Sequence, residues 1–142
     1  MQSFKLKKYY RDIMNSKEKK LKINCGTDII EVCRIKESIE RKGDNFLNKI
    51  YTEKEIEYCN SKNNMKYQHF AARFAAKEAI FKAISNMLKD KYEITWKDVE
   101  ILNDENGRPY VHFLNNNYNI KQIDISISHL KEYAIANCII VF

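Results

Sequence analysis

The chain has 142 residues, 44% hydrophobic and 31% charged, with three Gly and one Pro. That suits one folded domain with its own core and excludes a disordered or linker-rich chain. The formal net charge of +6 sits in residues 1–22, where eight Lys or Arg face Asp12 and Glu18; residues 23–142 carry seventeen of each sign, so no global basic field drives the body of the chain.

Residues 1–20 set lysines among Phe4, Leu6, Tyr9, Tyr10, Ile13 and Met14. They read as a basic N-terminal extension, an amphipathic helix or an arm, ahead of a domain over 21–142. The start lacks the apolar segment of a secretory signal, and no apolar run approaches the roughly 20 residues of a membrane span. A cytoplasmic protein is expected, without membrane or nucleic-acid partners. Cys25, Cys33, Cys59 and Cys138 form no C-x-x-C pair and no zinc-like Cys/His spacing, so they read as reduced, core-filling thiols.

In "LKINCGTDI" (21–29), Leu21, Ile23, Cys25, Thr27 and Ile29 alternate, which predicts a strand. Asp28 then leads into a helix in "IIEVCRIKESIERKG", ending at Gly43. A short helix follows in "TEKEIEYCNSK", where Thr52 and Glu55 have the capping-box spacing. The alanine-rich stretch around "FAARFAAKEAIFKAIS" predicts a long helix over about 67–88. "DVEILN" and "PYVHFL" read as strands joined through Asn106-Gly107, a strong turn signal. Ile123, Ile125 and Ile127 alternate with Asp124, Ser126 and Ser128, and "YAIANCIIVF" makes a last strand closing a hairpin. The expected class is α+β, with a mostly antiparallel sheet against the long helix.

That helix raises a question, because its apolar residues surround Arg73, Lys77, Glu78 and Lys82. A helix apolar all round is usually buried, and buried charges are rare unless paired or bound. Glu78 and Lys82 share a face at i, i+4 and suit either an ordinary salt bridge or a site. Arg73 and Lys77 have the same spacing with like charge, which suggests an external anion unless both reach solvent. Asp28 is either a helix N-cap or a carboxylate at a strand end. With Glu78 and a nearby lysine it would suit a magnesium–phosphate site, since magnesium takes one or two carboxylates and fills its shell with phosphate and water. His129 follows Ser126 and Ser128 at a strand end; His69 and His112 show no partner. Ser128 and His129, being adjacent, make a poor nucleophile–base pair.

Three segments, "CGTDIIEVCRI" (25–35), "FAARFAAKEAIFKAI" (70–84) and "ISISHLKEYAIA" (125–136), with "ILNDENGRPYV" (101–111), resemble the holo-acyl-carrier-protein synthases, small bacterial 4′-phosphopantetheinyl transferases. The resemblance covers about residues 21–142. It implies transfer of 4′-phosphopantetheine from coenzyme A to a serine of apo acyl carrier protein, with release of adenosine 3′,5′-bisphosphate, on an α+β homotrimer with sites between subunits. It implies magnesium on Asp28 and Glu78, and Lys82 on the coenzyme A phosphates. Arg73, Ser128 and His129 match positions near the nucleotide, and Asn106, Gly107 and Pro109 its adenine-side loop. Arg34, Arg41 and Lys49 match basic residues that hold the carrier protein. The serine's proton would pass to a carboxylate or to a water on the metal.

The chain departs from the family pattern twice. It carries the basic residues 1–20, and "SNMLKDKYE" (85–93) lacks the glycine-rich turn usual after the long helix. Two other readings are a basic RNA-binding module using "FKLKKYYRD", which the neutral body opposes, and an inactive family member, which Asp28, Glu78 and Lys82 oppose.

Overall fold

The long alanine-rich helix organises everything else. In the computed structural model, which describes residues 21–90, 92–115 and 118–142, it runs from Lys66 to Ile84. The elements before it are β1 (Ile23–Glu31), α1 (Val32–Lys42), α2 (Asp44–Ile50) and α3 (Glu53–Asn60), which makes the long helix α4. After it come β2 (Val99–Asn103), β3 (Pro109–Phe113), β4 (Gln122–His129) and β5 (Tyr133–Val141). The extension expected over 1–20 lies outside the described residues.

Helix α4 is buried on two sides, which is why it has no polar face. Ala75, Ala79, Ile80, Ala83 and Ile84 pack with Ala136, Cys138 and Ile140 of β5. Phe70, Ala71 and Ala72 pack with Val32, Ile35, Ile50, Tyr51 and Cys59 of the preceding helices. Alanine serves this position twice: it favours helix, and its small side chain lets a sheet and a helical layer approach one axis.

The strands form two antiparallel sheets instead of the single sheet expected: β1-β5-β4, and the pair β2-β3. Gly107, at φ +80°, supplies the left-handed residue that the β2–β3 turn needs. The Asp104 carboxylate accepts from the Asn106 and Arg108 backbone at 2.9 and 2.8 Å.

Several helix ends follow local chemistry. Thr52 and Glu55 make the full capping box that opens α3, and Gly43, at φ +52°, closes α1. Helix α2, seven residues long, was not expected; it is too short to show a period. Strand β1 runs on to Glu31, so Asp28 lies inside a strand and is not an N-cap; Glu31 occupies that position without a side-chain bond.

Candidate active site

Strand alternation divides β1 into two faces. Asn24, Gly26, Asp28 and Ile30 point towards α4, while Ile23, Cys25, Thr27 and Ile29 point outwards. The outward row is the apolar alternation seen in the sequence, so the periodic signal marks the uncovered side of the strand. The inward row crosses α4 at Gly26. A Cβ there would lie 1.9 Å from the Ala79 carbonyl oxygen and 2.9 Å from the Ala83 nitrogen. Only glycine lets strand and helix come this close.

That crossing brings Asp28 to the same turns of α4 that carry Glu78 and Lys82. Lys82 Nζ donates to Asp28 Oδ1 at 2.8 Å and to the Thr27 carbonyl at 2.9 Å. Burial pushes the Glu78 carboxyl above the ordinary range, the charge of Asp28 adds to this, and Lys82 offsets it in part. A half-buried carboxylate whose ionisation is disfavoured by burial and by the neighbouring Asp28, beside one lysine, makes a site that favours one more cation. The donor set is hard oxygen, which suits magnesium with phosphate and water completing its shell. Among the described residues no third His, Cys, Asp or Glu joins them.

The other charges of the helix answer the question differently. Lys77 is fully buried and pairs with Glu55 at 2.7 Å, donating also to the carbonyls of Ile50 and Trp96 at 2.8 and 2.9 Å. The expectation that it meets an external anion is therefore corrected: its anion is internal. The pairing was hidden because Glu55 already had a local role at the N-terminus of α3; its carboxylate also accepts from the Ile101 nitrogen. Arg73 is 3% exposed, donates to Asn103 at 2.7 Å and lies over the Tyr58 ring. It thus ties α4 to the strand that leads into the turn bearing Asn106, Gly107 and Pro109.

His129 points inwards and its ring meets that of His69 at 5.1 Å, edge to face, while Ser128 faces out. His69 also meets Tyr58, so it has the partners the sequence did not reveal. Burial lowers the His69 pKa from 6.5 to about 4, helped by the charges of His129, Arg73 and Lys62. His112, likewise read as partnerless, lies with Nδ1 3.3 Å from Glu100. The structure thus brings Asp28, Glu78 and Lys82 into one cluster and places Arg73 and His129 in a second around Tyr58 and His69.

Two further features were not legible. An apolar cleft of about 600 Å³ opens along the C-terminal end of α4, lined by Phe81, Ser85, Leu88, Ile94 and Trp96 together with Lys49. Its residues come from α4 and from turns beyond it, so no sequence period links them. A neighbouring cleft shares Lys49 and Trp96 and adds Arg41 and Phe46; Arg41 also borders a third with Arg34. Cys59 and Cys138 are buried, with thiols pushed up to about 12 by burial, whereas Cys25 and Cys33 are exposed and do not fill the core. Among the described residues no helix is long and apolar enough to cross a membrane.

The profile of the 4′-phosphopantetheinyl transferase superfamily matches residues 24–138. A holo-[acyl-carrier-protein] synthase of Halothermothrix orenii is 43% identical over 117 residues, covering 78% of this chain and 90% of that protein. Among solved structures, a holo-(acyl-carrier-protein) synthase from Bacillus anthracis in complex with CoA (3′,5′-ADP) superposes with a TM-score of 0.70 at 33% identity, covering 83% of this chain and 95% of that one. The Helicobacter pylori holo-[acyl-carrier-protein] synthase in complex with coenzyme A gives a TM-score of 0.71 at 28% identity, over 82% and 98% of the two chains.

Proposed function

The chain belongs to the 4′-phosphopantetheinyl transferase superfamily, and from that premise we propose how its residues divide the work. It is a holo-[acyl-carrier-protein] synthase: it transfers 4′-phosphopantetheine from coenzyme A to a serine of apo acyl carrier protein and releases adenosine 3′,5′-bisphosphate. The observation that carries the residue assignment is the cluster of Asp28, Glu78 and Lys82, made possible by the close crossing at Gly26.

Asp28 and Glu78 would hold a magnesium ion. Bound there, it would supply charge neutralisation at the pyrophosphate of coenzyme A. Lys82, half exposed and already fixed by Asp28 and Thr27, presents its ammonium at the same place, where negative charge builds on the departing phosphate. The cleft along Phe81, Leu88 and Trp96 suits the uncharged pantetheine arm. His129 and Ser128, on opposite faces at the end of β4, would serve the nucleotide end, a role that rests on the family resemblance. Arg73 acts on that end through Asn103, which holds the turn of Asn106, Gly107 and Pro109. Lys49 lines the apolar cleft and its neighbour, Arg41 borders that neighbour, and Arg34 borders a third cleft that shares Arg41, a row of basic side chains suited to an acidic carrier protein.

The outward face of β1-β5-β4 supports a homotrimer with sites between subunits. Ile23, Ile29 and Ile139 are each more than half exposed there. Pro109 and Arg108 border a cleft on the same face with Ile139.

Mass spectrometry of apo acyl carrier protein after incubation with the pure protein, coenzyme A and magnesium tests the reading. The carrier is expected to gain one phosphopantetheine, and chelation should abolish the gain. An unmodified carrier in the complete mixture would contradict the activity; modification that survives chelation would contradict the metal.

A further inference from the structure

Helix α4 ends without a glycine. The turn that follows, a 3-10 segment over Ser85–Met87, holds no residue at positive φ. The last carbonyls of a helix have no i+4 partner within it, and here side chains take two of them. Ser85 Oγ donates to the Lys82 carbonyl at 2.9 Å. Asn24, from β1, donates its side-chain amide to the Ala83 carbonyl at 2.8 Å and to Asn86 Oδ1 at 2.7 Å. Asn24 is the first of the inward row Asn24, Gly26 and Asp28, so one strand face clamps the helix end, admits the helix and supplies a carboxylate.

We infer that Asn24 is a positioning residue whose amide, by holding Ala83 and Asn86, sets the floor of the apolar cleft at Ser85 and Leu88 and thereby the affinity for the pantetheine arm. The inference rests on the cleft assignment made above. Without the clamp, the turn after Ile84 keeps the local Ser85 bond and the Lys22 contact to Met87 but loses its two hydrogen bonds to β1, and side chains such as Leu88 lose their fixed place beneath the arm. Glu78 lies more than one turn before Ala83, and Lys82, next to Ala83, is held from the other side by Asp28 and the Thr27 carbonyl, so the carboxylate–lysine cluster keeps its own ties to β1.

The test compares Asn24→Ala with the parent protein by steady-state kinetics and by calorimetry with coenzyme A and with adenosine 3′,5′-bisphosphate, which lacks the arm. Removing an amide that makes two hydrogen bonds should raise KM and Kd for coenzyme A roughly fivefold to tenfold. It should leave kcat and the bisphosphate Kd within about twofold. Asn86→Ala, which leaves the Ala83 bond, should shift coenzyme A in the same direction by less and guards against a fold defect in the first variant. Unchanged coenzyme A affinity in Asn24→Ala, or equal loss of both ligands, would overturn the inference. Failure of the parent protein to bind coenzyme A at all would instead overturn the functional reading.

Discussion

At the scale of single residues, the contact that matters most belongs to a residue with no side chain. Gly26→Ala places a methyl carbon against the Ala79 carbonyl, and backbone cannot yield as a side chain would. We predict a loss of roughly 1–3 kcal/mol or more, the range of overpacked cores, with a larger loss of turnover because Asp28 is pushed from Glu78 and Lys82. Thermal unfolding and turnover measured together check this; a variant as stable and active as the parent would contradict it. A second residue sets a pH dependence. His69 has a folded pKa of about 4 against the ordinary 6.5, so its neutral form is favoured by folding. Its contribution is complete above about pH 6.5 and is lost as pH falls from there towards 4. The melting temperature should therefore fall less between pH 7 and pH 5 in His69→Phe than in the parent, and equal falls would contradict the assignment. From the residues alone Glu78 and Lys82 suited a salt bridge as well as a site and Asp28 an N-cap as well as a ligand; it was the resemblance that joined the three, and the structure brings them together. The partners of His69 and Lys77 were not legible, since they depend on tertiary approach between segments distant in the chain.

At the scale of elements, α4 shows why an alanine-rich stretch can carry four charges. Glu78 and Lys82 are the two proposed for the site, and Arg73 and Lys77 bind the fold from inside. Lys77 draws together α2, α3 and the Trp96 turn through Ile50, Glu55 and Trp96. Lys77→Met leaves Glu55 buried beside no cation and should cost about 3–5 kcal/mol, which for a chain of this size lowers Tm by on the order of 10 °C. Calorimetric melting checks it, and a shift within a degree or two would contradict the role. The capping box at Thr52, the glycine stop at Gly43 and the Asn106-Gly107 turn were readable because each is a local bond among neighbours in sequence. The division into two sheets was not, because strand periodicity fixes faces and not partners. The outward row of β1 illustrates the same limit: alternation located Ile23 and Ile29 on one face without saying that α4 covers the other.

At the scale of the whole molecule, the uncovered sheet face and the split between the two clusters point to assembly. Cys25 lies on that face and Cys33 on α1, and both are exposed in the single chain. If the outward face is a subunit interface, an alkylating reagent should modify Cys33 readily in the native protein and Cys25 only after dissociation. Peptide mapping checks this, and equal labelling of the two in an intact trimer would place the interface elsewhere. The carboxylates that Gly26 brings together are the proposed reacting centre. Glu78→Gln keeps the shape and helix preference of Glu78 while removing its charge, so turnover of the folded variant with saturating coenzyme A and magnesium is the direct measurement. Turnover should fall by at least about a hundredfold, in line with loss of one electrostatic stabiliser. Near-normal turnover in a variant that melts like the parent would contradict it.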